Sequence, residues 1–115
     1  MSMSNQLVSH LEHAIESGTR WAISESNNEQ LWSRIRQTVN ELLLASWESG
    51  KLMGSKPEEA FFVRCDRTTM TQSDIDNGRL VIDVGVATTK PAEFVIFQIG
   101  QWTADARNGP ATQAS

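Results

Sequence analysis

A small α+β domain is the fold class this sequence predicts, and three observations predict it. Apolar residues recur at helical spacing over two stretches, from about residue 5 to 17 and from about 29 to 49. Further on, Leu80, Ile82, Val84 and Val86 alternate with Val81, Asp83, Gly85 and Ala87, which is the period of a strand. Phe94–Ile99 (FVIFQI) is then apolar on both faces at its start, as in a strand covered on both sides or completed by another chain. The expected architecture is a small mixed sheet of about four strands with two main helices packed on one face.

A chain of 115 residues suits one domain with one modest core. The domain is expected over residues 1–104. Residues 105–115 are expected to form a disordered polar tail, because the sequence after Trp102 turns small and polar. The formal charge of −4 argues against a nucleic-acid binder, which would carry a basic patch. The single cysteine, Cys65, excludes an internal disulfide and fits a reducing compartment. No apolar run approaches the ~20 residues of a membrane-spanning helix. The opening MSMSNQLVSH has neither the basic start nor the apolar centre of a signal peptide. A soluble protein made in the cytoplasm is expected, with neither nucleic acid nor membrane among its partners.

Taken in order, Leu7, Val8, Leu11, Ala14 and Ile15 give the first helix, with Ser4 or Asn5 as its cap and Gly18 at its end. Thr19–Glu25 (TRWAISE) is short and partly β-branched, and reads as a strand. Asn27 or Asn28 caps the long second helix, whose apolar stripe is Leu31, Trp32, Ile35, Val39, Leu42, Leu43 and Trp47. Within that stripe Leu42→Asp is expected to unfold the domain. Lys51–Glu59 is a loop marked by Gly54 and Pro57. Ala60–Cys65 is a second strand. Reached from the first through a long helix, it is expected to lie parallel to it by a right-handed crossover. A helical turn at 72–77, ended by Gly78, precedes the alternating strand. Thr88–Ala92 turns the chain, and Asp83 and Lys90 read as charges guarding an open edge.

Residues with catalytic or ligating chemistry do not assemble into a motif. His10 and His13 share a helix face, yet neither HExxH nor a third ligand accompanies them, so a solvated pair is expected. Cys65 has no histidine nearby to act as its base, and reads as a buried structural thiol. Asp74, Asp76 and Gly78 resemble a calcium loop, but the sixth and twelfth places hold Arg79 and Gly85 rather than Gly and Glu. Arg64, Asp66, Arg67, Asp74, Asp76 and Arg79 are instead expected to form a salt-bridged structural loop. No catalytic, cofactor-binding or metal-binding residue is assigned, and no cofactor is expected.

PEEAFFVRCDRTTMT (57–71), DIDNGRL (74–80) and KPAEFVIFQIGQ (90–101) follow one another in an order and spacing that resemble the C-terminal domain of contractile-tail sheath proteins. Upstream, LEHAIESGTRWAISESNNEQLWSRIR extends the likeness through Gly18, Thr19, Trp21, Ala22, Glu25, Asn27, Asn28, Leu31, Trp32, Arg34 and Arg36. The resemblance implies a structural role without catalysis. Sheath subunits stack as rings around an inner tube, with this domain innermost. Their extended arms complete neighbours' sheets by strand addition, and contraction proceeds by rotation of subunits. The implied partners are other sheath subunits and the inner tube protein. The implied location is the tail of a virion or phage-tail-like particle, assembled in the bacterial cytoplasm.

Under that resemblance the inter-subunit sheet is expected at Leu80, Ile82, Val84, Val86, Phe94, Val95, Ile96, Phe97 and Ile99. Lys51 and Lys56 are expected on a loop facing the tube. The family's arm and outer domains do not precede the first helix in this sequence. That departure motivates an alternative, a free-standing sheath-derived adaptor or assembly regulator that binds sheath or tube without entering the contractile lattice.

Overall fold

The computed structural model describes residues 3–88 and 94–106. Helix α1 (Met3–Gly18) begins earlier than its apolar period, so Ser4 and Asn5 lie inside it rather than before it. Leu11 and Ile15 are its buried residues, one turn apart on the same face. At its end the buried Thr19 hydroxyl donates to the Ile15 carbonyl at 2.7 Å. The chain then continues coiling as a 3₁₀ helix, Arg20–Ser24, closed by Ala22 N–H to Thr19 O and Glu25 N–H to Ala22 O. The strand expected at Thr19–Glu25 is therefore absent. Five residues that satisfy their own backbone groups with bonds to the third residue back need no strand partner.

Asn28 caps helix α2 (Glu29–Glu48), its side chain accepting from Leu31 N–H at 3.0 Å, with Glu29 favourably placed in the first turn. Leu31, Trp32, Ile35, Val39 and Leu43 are buried. Leu42 is only half-buried, while its neighbour Leu43 is fully buried, so the substitution to aspartate is expected to be more damaging at Leu43. Each large side chain buried in this way contributes about 1.5–3 kcal/mol. A single turn, α3 (Pro57–Ala60), leads into the sheet.

That sheet has three strands, in the order β1 (Phe61–Arg64), β2 (Arg79–Ala87), β3 (Phe94–Trp102), and both pairings are antiparallel. Four strands in a mixed sheet were expected. The fourth strand and the parallel pair both disappear with the Thr19–Glu25 segment. Phe61 faces Val86 and Arg64 faces Asp83 across β1–β2, while Ala87 faces Phe94 and Arg79 faces Trp102 across β2–β3. Leu80, Ile82, Val84 and Val86 project from β2 toward α1 and α2 and form the centre of the core. Between β1 and β2 the predicted helical turn is present as α4 (Gln72–Asp76), and Gly78 after it has φ +77°, a conformation that favours glycine. The turn expected at Thr88–Ala92 falls largely outside the described residues, as does Lys90.

Candidate functional site

The face of the sheet that carries Phe62, Asp83 and Gly85 is uneven, and β2 supplies the reason. Gly85 has no side chain, and the Phe62 ring of β1 lies in the space, 2.1 Å from where a Cβ would stand. Phe94 of β3 meets that ring edge-on at 5.5 Å. Midway along, Asp83 links all three strands. It accepts from Gln98 Nε2 at 2.8 Å and lies 4.0 Å from the Arg64 guanidinium. Asp83 thus sits on the central strand and ties the sheet together. It does not guard an edge, as the sequence suggested.

The predicted inter-subunit residues divide between two settings. Leu80, Ile82, Val84 and Val86 are wholly buried on a strand that is paired on both sides. The β3 residues are different. Phe94, Val95 and Ile96 are 42%, 40% and 60% exposed, Phe97 is half-buried, and Ile99 reaches the core. Among the described residues β3 has a strand beside it on one side only. A groove of about 280 Å³ runs between α1 and β3, lined by Glu12, His13 and Glu16 on the helix and by Gln98, Ile99 and Gly100 on the strand. Ile99 and Gly100 point to opposite faces of a strand, so the groove reaches the backbone edge of β3. At the other end of β2, Met53 N–H donates to Ala87 O at 2.8 Å and Trp47 Nε1–H to Gly54 O at 2.8 Å. These bonds hold the loop carrying the exposed Lys51 and Lys56 beside the end of the sheet where β3 begins.

The charged stretch is built from caps rather than ion pairs. Asp66 accepts from the Thr68 hydroxyl and from Thr68 N–H. Thr71 and Asp74 form a reciprocal capping box at the start of α4, at 2.9 and 3.0 Å. Asp76 accepts from Gln72, and Arg67 donates to Gln72. The hydrogen bonds from Thr68 hold the Asp66 carboxyl below its ordinary range, and those from Thr71, backbone first, do the same for Asp74. Among the described residues, Arg64–Asp83 is the one ion pair that involves any of the six residues of the predicted salt-bridged loop. A neighbouring N–H or hydroxyl satisfies a carboxylate locally and costs less side-chain freedom than a long guanidinium would.

Of the remaining candidates, His10 and His13 are both exposed on α1, and no group of three metal-ligating side chains occurs among the described residues. Cys65 is buried, and burial pushes its thiol up to about 12, so it is held as the thiol at neutral pH. No described helix is long and apolar enough to cross a membrane.

Sequence reasoning missed a buried polar junction. Asn27, expected only as a possible cap, donates from Nδ2 to Arg79 O at 3.1 Å and accepts from Trp32 Nε1 at 2.7 Å. Its own N–H donates to Asp105 at 2.9 Å. Asp105 and Ala106, placed in the predicted disordered tail, are therefore described and tied to the domain, while residues 107–115 lie outside the described residues.

Taken together, these features define an α+β domain with exposed apolar residues at the start of its edge strand β3. The chain belongs to the phage tail sheath C-terminal domain family, whose model matches residues 6–101. Among solved structures it is similar to a chain of the anti-feeding prophage baseplate, determined by cryo-microscopy with six-fold symmetry, at 37% identity and a TM-score of 0.69. It is also similar to a chain of the PVC sheath complex, an extracellular contractile injection system in the contracted state, at 39% identity and a TM-score of 0.67. Those matches cover 79% and 81% of this chain but only 26% and 27% of the other two, so it spans about a quarter of their length. A comparison with curated protein sequences yields no match.

Proposed function

We propose that this domain is a structural module of a contractile sheath that joins other sheath subunits by accepting a strand along β3. One observation carries the reading: in a chain of the sheath family, Phe94–Ile96 is an exposed apolar stretch that pairs with β2 on one side and has no strand on the other among the described residues. An exposed edge of this composition is a liability in an isolated protein, and it stops being one when a neighbour covers it. Main-chain hydrogen bonds along an added strand supply affinity, while apolar side chains on both faces of β3 select a partner strand that is apolar on both faces.

In this reading the sheath occupies the tail of a phage or tail-like particle. Subunits rotate as bodies on contraction while the shared strands keep them linked. The Lys51–Lys56 loop, at the same end of the domain as the apolar half of β3, is the candidate contact with the inner tube. The test is co-assembly. The purified chain is mixed with full-length sheath subunits of a related particle, followed by light scattering and cryo-microscopy of the polymers. The expected result is incorporation, with a neighbour's strand against residues 94–98. A chain that stays solitary overturns the sheath reading. A chain that binds sheath but never enters the polymer favours an adaptor. Incorporation with β3 uncovered overturns strand addition.

A further inference from the structure

The segment that follows β3 is fastened by long-range bonds of its own, outside the β2–β3 ladder. Thr103 donates twice to the Gly78 carbonyl, from its backbone N–H and its hydroxyl, both at 2.8 Å, and is itself buried. Ala104 N–H donates to Glu25 O at 2.9 Å, and the Asp105 carboxylate accepts from Asn27 N–H at 2.9 Å. The chain passes so closely over Gly78 that a Cβ there would lie 2.2 Å from the Ala106 nitrogen. Three consecutive residues are thus bonded to two segments distant in sequence. Those segments are locked to each other through Asn27 and Arg79, and to α2 through Trp32.

We propose that Thr103–Asp105 is a force-bearing clasp, which takes up tension arriving through the chain beyond Ala106 and passes it to the buried Asn27–Trp32 junction. The geometry explains why one is needed. β3 is an edge strand whose last pair is Trp102 with Arg79. A pull applied directly at Trp102 opens the ladder one pair at a time, each bond failing alone. With the clasp in place several bonds must break together before Trp102 is loaded, and the Thr103 hydroxyl bond among them is buried, where water cannot readily replace it. The sheath reading supplies only a setting in which linked subunits pull on one another, so the clasp is tested on the chain alone and either idea can fail without the other.

The experiment holds the full chain at constant force in two geometries. In the first the handles are at the two termini. In the second the distal handle is moved upstream of the clasp, to an exposed site made by Gln98→Cys; the buried Cys65 does not compete for the handle. Thr103→Val and Asp105→Ala, each removing one clasp bond, are compared with the parent in both geometries. Rupture through the C-terminus is expected to become about five times faster for each variant, while rupture through position 98 stays unchanged. Equal acceleration in both geometries would reduce the clasp to general stabilisation and overturn the proposal. So would no acceleration in either. If Thr103→Val does not fold, Asp105→Ala decides alone, because its side chain is exposed.

Discussion

β2 and β3 are both nine residues long and face each other residue for residue, yet only β2 is buried along nearly its whole length. Composition does not explain the difference, since the FVIF start of β3 is at least as apolar as any part of β2. Position does. β2 has a strand on each side and shares the core cluster with residues of α1 and α2, while β3 has one strand neighbour among the described residues and exposes its first three residues. An apolar residue is buried by the layers around it, and the start of β3 is exposed because no described layer covers it.

The comparison breaks most visibly on a matched pair of substitutions. Ile82→Ala on β2 removes fully buried methyl groups and is expected to cost about 2–5 kcal/mol. Ile96→Ala on β3, three positions from the residue that faces Ile82, is expected to stay within about 0.5 kcal/mol. Urea unfolding of both variants measures the difference, and similar losses would show that the two strands are equally engaged in the core. Gly85→Val comes next. Its side chain meets the far end of the Phe62 ring, which is half-buried and free to swing away, so the cost is expected at about 1–3 kcal/mol. Thermal unfolding gives that cost, and aromatic NMR should show Phe62 leaving its edge contact with Phe94.

This asymmetry also marks what the sequence could convey. The period-two run on β2 and the helical stripes of α1 and α2 are local patterns enforced by burial, so their elements were legible. Which of Leu42 and Leu43 faces the core was not, because the two are neighbours on a broad apolar stripe and the sheet decides between them. Thr19–Glu25 has strand-like residues but bonds its own backbone as a 3₁₀ helix, and pairing is not a local property. The capping box at Thr71 and Asp74 could have been read from its spacing, which would have replaced the expected salt bridges with caps. The bonds from Asn27 to Arg79 and Asp105 join positions too far apart in the chain for any local pattern to reveal. FVIFQI announced a strand with two apolar faces and left open whether this chain or another covers it.

A smaller effect concerns how β2 is entered, through the Asp66–Gly78 loop and its caps. Thr71→Ala removes the hydroxyl that accepts from Asp74 N–H and is expected to cost about 1 kcal/mol, visible as a lower urea midpoint. β3 pairing should be untouched, with amide exchange over 95–101 unchanged; if those amides exchange faster, β2 and β3 are less independent than their burial implies.

The smallest expected effect is acid dependence from the same loop. Asp66 and Asp74 both titrate below their ordinary value of 3.8 in the folded chain, because threonine N–H and hydroxyl donors favour the ionised carboxylate. The unfolded chain therefore takes up these protons first as the pH falls. The stabilisation is complete above the ordinary aspartate range and is lost as the pH drops through it toward the lower folded values, roughly from pH 5 downward. Both side chains are well solvated, so the slope should be shallow. Urea midpoints between about pH 3 and 7 should decline gently at the acid end for the parent chain. An Asp66→Asn, Asp74→Asn double variant, which keeps an acceptor oxygen but no titrating group, should show a flatter curve. An unchanged curve would place the acid sensitivity outside the Asp66–Gly78 loop.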